Sequence, residues 1–291
     1  MFASEKSIGK ECFYKRQTYF VEGLNIDSFC NLDFVFFCAG TDVSKKWVLV
    51  AEAAGCFVID NSSHFRMDKD VCLIVPEVNF DKYDYKRKLI ANPNCSTIQS
   101  VICLNALKKF GIKRVIYNTY QAVSGSGIKG INDLIKPNHS FYKYDIKQTC
   151  IPQIDVFLDN GFTKEEMKMI DESRKILDSN ELNISATCIR VPVLFSHGVS
   201  VLVELDEEFE MSDIYKAFSE QKGLIIVDDI YQNLYPTSVI ATGNDNVYVG
   251  RIRKDLFYNK SILFYCVADN MRKGAASNAV EIALKIIENS L

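Results

Sequence analysis

The chain has 291 residues, with 34 Lys+Arg against 37 Asp+Glu, a formal charge of −3 and 48% hydrophobic residues. That length suits about two domains, and a near-average charged fraction of 24% excludes wholesale disorder. No Lys/Arg block marks a nucleic-acid or membrane coat, and no apolar run approaches the ~20 residues of a spanning helix.

Residues 1–10 (MFASEKSIGK) lack the apolar stretch of a signal peptide, so a cytoplasmic location with reduced thiols is expected. Residues 33–40 (DFVFFCAG) form a continuous apolar run ended by Gly, as a buried parallel strand would. Residues 44–55 (SKKWVLVAEAAG) read as a helix, 56–60 (CFVID) as a strand and 71–75 (VCLIV) as another. That rhythm is a βαβ unit with a parallel sheet. Residues 89–92 end a short strand, and a helix runs from Ser96 to Phe110, closed by Gly111. Residues 114–120 (RVIYNTY) read as a strand, and the chain from Ser124 to Gln148 reads as irregular and polar. Thr163 and Glu166 form a capping box opening an amphipathic helix to Leu177. Residues 188–205 read as two strands around Ser196-His197-Gly198, and 247–252 and 262–267 as further strands spaced as in a hairpin-rich antiparallel sheet. Residues 271–289 form a terminal helix with Ala275, Ala276, Ala279, Ile282, Ala283 and Ile286 on one side, expected to pack back onto the N-terminal region.

No C-x-x-C pair occurs among the ten cysteines, and no spacing supports a metal site. Cys38, Cys56, Cys72, Cys188 and Cys266 lie in apolar runs and read as packing residues. Cys95, in Asn92-Pro93-Asn94-Cys95-Ser96-Thr97, differs: it sits at a helix N-terminus. There, unpaired N–H groups and the macrodipole favour an anion, which lowers a thiol pKa and stabilises an oxyanion. A nucleophilic Cys needs an acid/base partner, and only His64, His139 and His197 exist. His197, between two apolar strands, is the best candidate of the three. Arg190 interrupts a strongly apolar strand and needs a partner. Arg66 follows a strand end in the βαβ region, where α/β sheets bind ligands. Glu165 and Lys168 share a helix face, a spacing that on its own reads as a solvated ion pair. A G-x-G-x-x-G turn is missing, and the glycines of residues 124–130 follow the wrong element for one.

Taken in order, FASEKSIGK, FFCAG, IDNSSHFRMDKDVCLIVPEVN, ANPNCSTIQ, YQAVSGSGIKG, IPQIDVF with TKEEMKM, IRVPV with SHG, and VADNMRKGAA resemble the aspartate-semialdehyde dehydrogenase family over essentially the whole chain. N-acetyl-glutamyl-phosphate reductase shares the chemistry, but the NPNCST and YQAVSGSG segments fit the aspartate family better. The resemblance implies an α/β fold: a Rossmann-like NAD(P)-binding domain, N-terminally incomplete, formed by residues 1–94 plus 270–291. An α+β catalytic and dimerisation domain with a mixed sheet would span residues 95–269. It implies Cys95 as nucleophile, His197 as acid/base and Gln121 as a substrate-orienting amide. Arg190 would clamp the substrate α-carboxylate, Glu165 its amino group, and Arg66 and Lys168 phosphate. Lys6 and Ser7 would lie near the NADP 2′-phosphate, Ser124 and Gly125 near the nicotinamide, with Asn270 also in contact. The implied reaction is NADP-dependent reductive dephosphorylation of L-aspartyl 4-phosphate through a Cys thioester, feeding lysine, threonine, methionine and diaminopimelate synthesis, in a homodimer.

The front of the chain departs from that pattern. In the family, FASEKS-like residues follow a first strand, a G-x-x-G-x-V-G turn, a helix and a second strand, whereas here Met1 falls where that second strand should end. The expectation is therefore weak NADP binding and an exposed apolar sheet edge. The alternatives are a non-catalytic remnant acting as a subunit partner and a cofactor-free Cys–His hydrolase.

Overall fold

The computed structural model describes residues 1–136 and 141–290, so His139 lies outside the described residues. Four short strands open the chain: β1 (Phe2–Ala3), β2 (Glu11–Tyr14), β3 (Gln17–Phe20) and β4 (Glu22–Gly23). β2 and β3 form an antiparallel hairpin and β1 lies parallel to β4. Lys15 and Arg16, both at positive φ, make the two-residue turn whose twist matches the hairpin. Neither the hairpin nor its turn has a Gly or Asn signal, which is why the sequence did not announce it.

The βαβ unit then follows as β5 (Phe34–Phe37), α1 (Thr41–Ala53) and β6 (Phe57–Asp60), and Gly55 at φ +95 ends the helix as its position suggested. β7 is only Cys72–Leu73, α2 is Pro76–Asn79 and β8 is Leu89–Ala91. These strands form a parallel sheet in the order β5-β6-β8-β7, with β5 at an edge and its Phe36 exposed.

α3 (Cys95–Leu107) is buried on nearly every face, so its apolar residues form no single stripe and its role is to fill the centre of the molecule. After it come β9 (Ile112–Gln121), α4 (Gly127–Ile135), α5 (Lys164–Leu177), β10 (Asn183–Arg190), β11 (His197–Leu205), α6 (Met211–Glu220), β12 (Leu224–Ile226), α7 (Ser238–Ala241), β13 (Val247–Lys254) and β14 (Ser261–Ala268). Their six strands make one sheet in the order β10-β9-β11-β14-β13-β12. The β9–β10 and β12–β13 pairs are parallel, so the sheet is mixed, as the resemblance implied, rather than a set of hairpins. The polar segment after Ser124 is corrected too: α4 occupies its first part, packing Ile131 and Leu134 against Val123, Ile146 and Ile151.

The terminal helix begins with a π-turn, Arg272–Ala276, before α8 (Ser277–Ser290). Ala279, Ile282, Ala283 and Ile286 pack on Ile59 and Ile90 of the parallel sheet and on Ile74 just after β7, returning the C-terminus to the N-terminal region as expected. Ala276 is exposed, because the π-turn rotates it off that face. The whole is an α/β fold in which α3 packs on the mixed sheet and α5 touches both β10 of that sheet and β7 of the parallel one.

Candidate active site

The ends of several elements converge. β9 ends at Gln121 and its parallel neighbour β10 ends at Arg190, directly paired in register. β11, on the other side of β9, begins at His197, which pairs with Ala268 at the end of β14. The nucleophile candidate, Cys95, is the first residue of α3, and Glu165 and Lys168 lie in the first turns of α5. One end of the mixed sheet thus collects Gln121, Arg190 and His197 opposite two helix N-termini.

The backbone of a single residue, Ala122, orients two of these groups. The Ala122 N–H donates to His197 Nδ1 at 3.0 Å, and the Ala122 carbonyl accepts from Arg190 Nη1 at 2.6 Å. Since Nδ1 must accept, the neutral imidazole carries its proton on Nε2. That Nε2 is buried and has no hydrogen-bond partner among the described residues, and neither has Arg190 Nε. Burial first, then the Arg190 charge, holds the imidazole pKa well below its ordinary value. Arg190 is 4% exposed, yet no carboxylate among the described residues pairs with it. Gly125 lies directly against the two polar tips: a Cβ there would come within 2.8 Å of Arg190 Nη1 and 3.2 Å of His197 Nε2. The glycine leaves room between a buried cation and a buried N–H donor.

Glu165 is the hub on the opposite side. Its Oε1 accepts from Asn94 Nδ2 at 2.9 Å and Gln121 Nε2 at 3.2 Å, and its Oε2 accepts from Lys168 Nζ at 3.1 Å. Lys168 also donates to Asp155 at 2.9 Å, which together with Glu165 holds its pKa above the ordinary value against the opposing effect of burial. The Glu165/Lys168 pair is therefore a largely buried part of the site and not a solvated surface pair. Arg66, also buried, donates to Glu172 at 2.9 Å and to the Asn61 carbonyl at 2.9 Å.

The expectation for the Cys95 thiol is corrected. Asn94, the N-cap, already accepts the Ser96 and Thr97 N–H groups with its side chain, at 2.9 and 3.3 Å. Burial and the Glu165 charge push the thiol up to about 11, outweighing Arg190, Arg66 and the Ser96 N–H, which pull it down. Helix position alone does not decide a thiol's acidity when a carboxylate and a dry wall stand beside it. Of the other cysteines, Cys56, Cys188 and Cys266 are buried as packing residues, whereas Cys38 is exposed and Cys72 half-buried.

Ser124 and Asn270 meet, with Ser124 Oγ 3.0 Å from Asn270 Nδ2, and Asn270 Oδ1 also accepts the Ser196 N–H at 2.9 Å. Lys6 and Ser7 lie apart, in a 3-10 turn (Glu5–Ser7) after β1, with no hydrogen bond to the other candidates among the described residues. Four groups escaped the sequence reading: Ala122, Asn94, Glu172 and Gly274. Glu172 had a legible signal, since residues 165, 168, 172 and 175 fall at 3-4-3 spacing on one helix face. Gly274, in the π-turn, approaches Cys95 so closely that a Cβ there would lie 2.9 Å from Cys95 Cβ. Irregular helical turns of this kind recur at functional sites.

Comparison with known proteins adds an independent line. The family model described as semialdehyde dehydrogenase, NAD binding domain, matches residues 1–85, and that for the semialdehyde dehydrogenase dimerisation domain matches residues 104–273. An aspartate-semialdehyde dehydrogenase of Aquifex aeolicus is 44% identical over 306 residues, covering 100% of this chain and 90% of its own. One from Campylobacter jejuni is 43% identical, covering 98% of this chain and 88% of its own. The solved structure of Vibrio cholerae aspartate semialdehyde dehydrogenase II complexed with ASA superposes with a TM-score of 0.94 at 38% identity, over 100% of this chain and 90% of that one.

Proposed function

The chain belongs to the aspartate-semialdehyde dehydrogenase family of oxidoreductases, and from that premise we propose that it interconverts L-aspartate 4-semialdehyde and L-aspartyl 4-phosphate, with NADP, through a thioester on Cys95. The observation that carries this reading is the pair of groups flanking Gly125: the Arg190 guanidinium, which has no carboxylate partner among the described residues and an unpartnered Nε, and the unpartnered His197 Nε2–H. A buried guanidinium without a carboxylate partner calls for an anionic ligand, and a buried N–H donor beside it suits an oxygen that becomes negative.

In the oxidative direction Cys95 loses its proton to solvent and its sulfur bonds to the aldehyde carbon. The carbonyl π electrons move to oxygen, and the His197 Nε2–H stabilises the alkoxide by hydrogen bonding. With Nδ1 accepting the Ala122 N–H, His197 enters this direction as the acid of its acid/base role, its Nε2–H facing the oxygen. Arg190 binds the α-carboxylate and the Glu165 carboxylate binds the amino group, with the Gln121 side-chain amide orienting the substrate beside Cys95. The alkoxide re-forms C=O as hydride leaves, giving the thioester. When bound, NADP supplies the hydride acceptor for that stage. Phosphate, held by Arg66 and Lys168, then attacks the thioester carbon, its oxyanion again meeting Nε2–H. Collapse breaks the C–S bond and releases Cys95 thiolate and aspartyl phosphate.

Ser124, Gly125 and Asn270 are the residues that would hold the nicotinamide end. Two buried polar side chains and a glycine whose missing Cβ leaves space beside Arg190 and His197 fit such a planar amide. Lys6 and Ser7 would face the 2′-phosphate, with Lys6 a point charge where a guanidinium would give a fork. A homodimer formed through residues 104–273 and a place in lysine, threonine, methionine and diaminopimelate synthesis belong to the same proposal. The test is phosphate-dependent NADPH formation from aspartate semialdehyde. Activity lost in Cys95→Ala supports the reading, and no activity with any phosphate concentration refutes it.

A further inference from the structure

Glu172 lies in the middle of α5, is 1% exposed, and uses its two carboxylate oxygens on two different parts of the site. Oε1 accepts from Arg66 Nη1 at 2.9 Å, and Oε2 accepts from the Asn94 N–H at 2.6 Å. Asn94 is the residue that caps α3 immediately before Cys95. One helical turn on, Lys175 donates to the carbonyls of Arg66, Asp68 and Val71 at 2.7, 2.7 and 2.8 Å, so α5 grips the Arg66 loop by side chain and backbone alike. Two donors from segments far apart in sequence thus converge on one buried anion, and no other carboxylate among the described residues lies within ion-pair distance of Arg66.

We propose that Glu172 is a positioning residue, which fixes the Arg66 guanidinium and the Asn94–Cys95 helix start in one frame so that bound phosphate meets the Cys95 thioester carbon in line. The inference rests on the reading of Arg66 as a phosphate ligand and Cys95 as nucleophile. Physically, a guanidinium with one face on a carboxylate and one nitrogen on the Asn61 carbonyl has few rotamers left, and its remaining N–H groups are pre-aimed. Without the carboxylate, Arg66 regains its rotamers and the Asn94 N–H is buried without an acceptor. Burial raises the Glu172 pKa, whereas Arg66 and the Asn94 N–H lower it, consistent with a carboxylate whose charge depends on these two partners.

The experiment compares Glu172→Gln and Glu172→Asp with the wild-type chain, measuring KM for phosphate, KM for semialdehyde and kcat, with circular dichroism as a fold control. Glu172→Gln is expected to raise the phosphate KM about tenfold or more while the semialdehyde KM moves less than about threefold, because the charge-assisted bond lost is the one to Arg66, whereas the amide oxygen can still accept the Asn94 N–H and the residues assigned to the semialdehyde keep their partners. Glu172→Asp, which keeps the charge but reaches one donor, is expected to fall between; it serves alone should the Gln variant not fold. In a double-mutant cycle, Glu172→Gln added to Arg66→Gln is expected to cost little more than Arg66→Gln alone. An unchanged phosphate KM, equal shifts in both KM values, or additive effects in the cycle would overturn the positioning role. If instead Arg66→Gln itself leaves phosphate KM unchanged, the reading of Arg66 as a phosphate ligand is what fails.

Discussion

Replacing Gly274 by alanine tests whether the π-turn is part of the machinery. The added Cβ would sit 2.9 Å from Cys95 Cβ, 3.3 Å from Cys95 Cα and 3.4 Å from the Asp269 carbonyl oxygen. These are backbone or near-backbone atoms and cannot swing aside. Cys95 is fixed by the α3 hydrogen bonds and its Asn94 cap, and Gly274 by its N–H to Asp269 O at 2.9 Å. To reach ordinary van der Waals distance the segments must separate by at least about half an ångström. Overpacking of that order costs about 1–3 kcal/mol, or a few degrees in Tm for a chain of this size. Displacing a nucleophile by up to ~1 Å costs up to about 100-fold in rate. The assay is steady-state NADPH formation alongside thermal unfolding, with Gly40→Ala as control, since a Cβ at Gly40 meets nothing within 4 Å. We expect Gly274→Ala to lose at least tenfold in kcat and Gly40→Ala to match the wild type. A Gly274→Ala enzyme within twofold of wild-type kcat would refute the argument.

Other variants probe the remaining links. Alkylation of Cys95 in the ligand-free protein should rise with pH without a plateau until near 11, and Glu165→Gln should shift that profile to lower pH by removing the second-largest upward cause. The same shift has a stability sign: the folded thiol stays protonated after the unfolded one ionises near 9, so its contribution is present below pH 9 and lost as pH rises toward 11. His197 runs the other way, since its folded pKa lies well below 6.5. Its contribution is present above pH 6.5 and lost on acidification, and His197→Gln should flatten that acid limb in pH-dependent unfolding. Lys273 is 0% exposed and bonded to Glu77 and Glu281 at 2.5 and 2.6 Å, so Lys273→Met, which leaves two carboxylates without their cation, should cost about 3 kcal/mol in denaturant unfolding. Arg190→Lys should raise the semialdehyde KM by one to two orders of magnitude with a smaller effect on phosphate KM, because an ammonium cannot reproduce the guanidinium fork.

The periodic parts of the fold were legible because burial imprints itself on sequence. The β5–α1–β6 unit, the capped start of α5 and the return of α8 onto the parallel sheet each carry an apolar pattern or a cap. The β2–β3 hairpin and the π-turn at residues 272–276 were not, since a turn of Lys15-Arg16 and an extra residue in a helical turn leave no compositional mark. In the site, Cys95, Arg190 and His197 stand out as polar residues at the ends of apolar strands or at the start of a helix, whereas Gln121 came only from the family resemblance. Ala122 acts through its backbone, which no side-chain pattern encodes, and Glu172 hides in a charged helix face that also reads as solvated. The thiol expectation failed for a related reason: helix position is local, but the burial that raises the thiol pKa most comes from tertiary packing, and the Glu165 carboxylate that adds to it stands 70 positions away in the chain.

The most direct test of the account is a rapid-mixing measurement of NADPH formed from aspartate semialdehyde and NADP in the absence of phosphate. A thioester on Cys95 predicts a burst of about one NADPH per chain that then stalls, resumes when phosphate is added, and vanishes in Cys95→Ala. A burst of the same size in Cys95→Ala, or sustained turnover without phosphate, would contradict it.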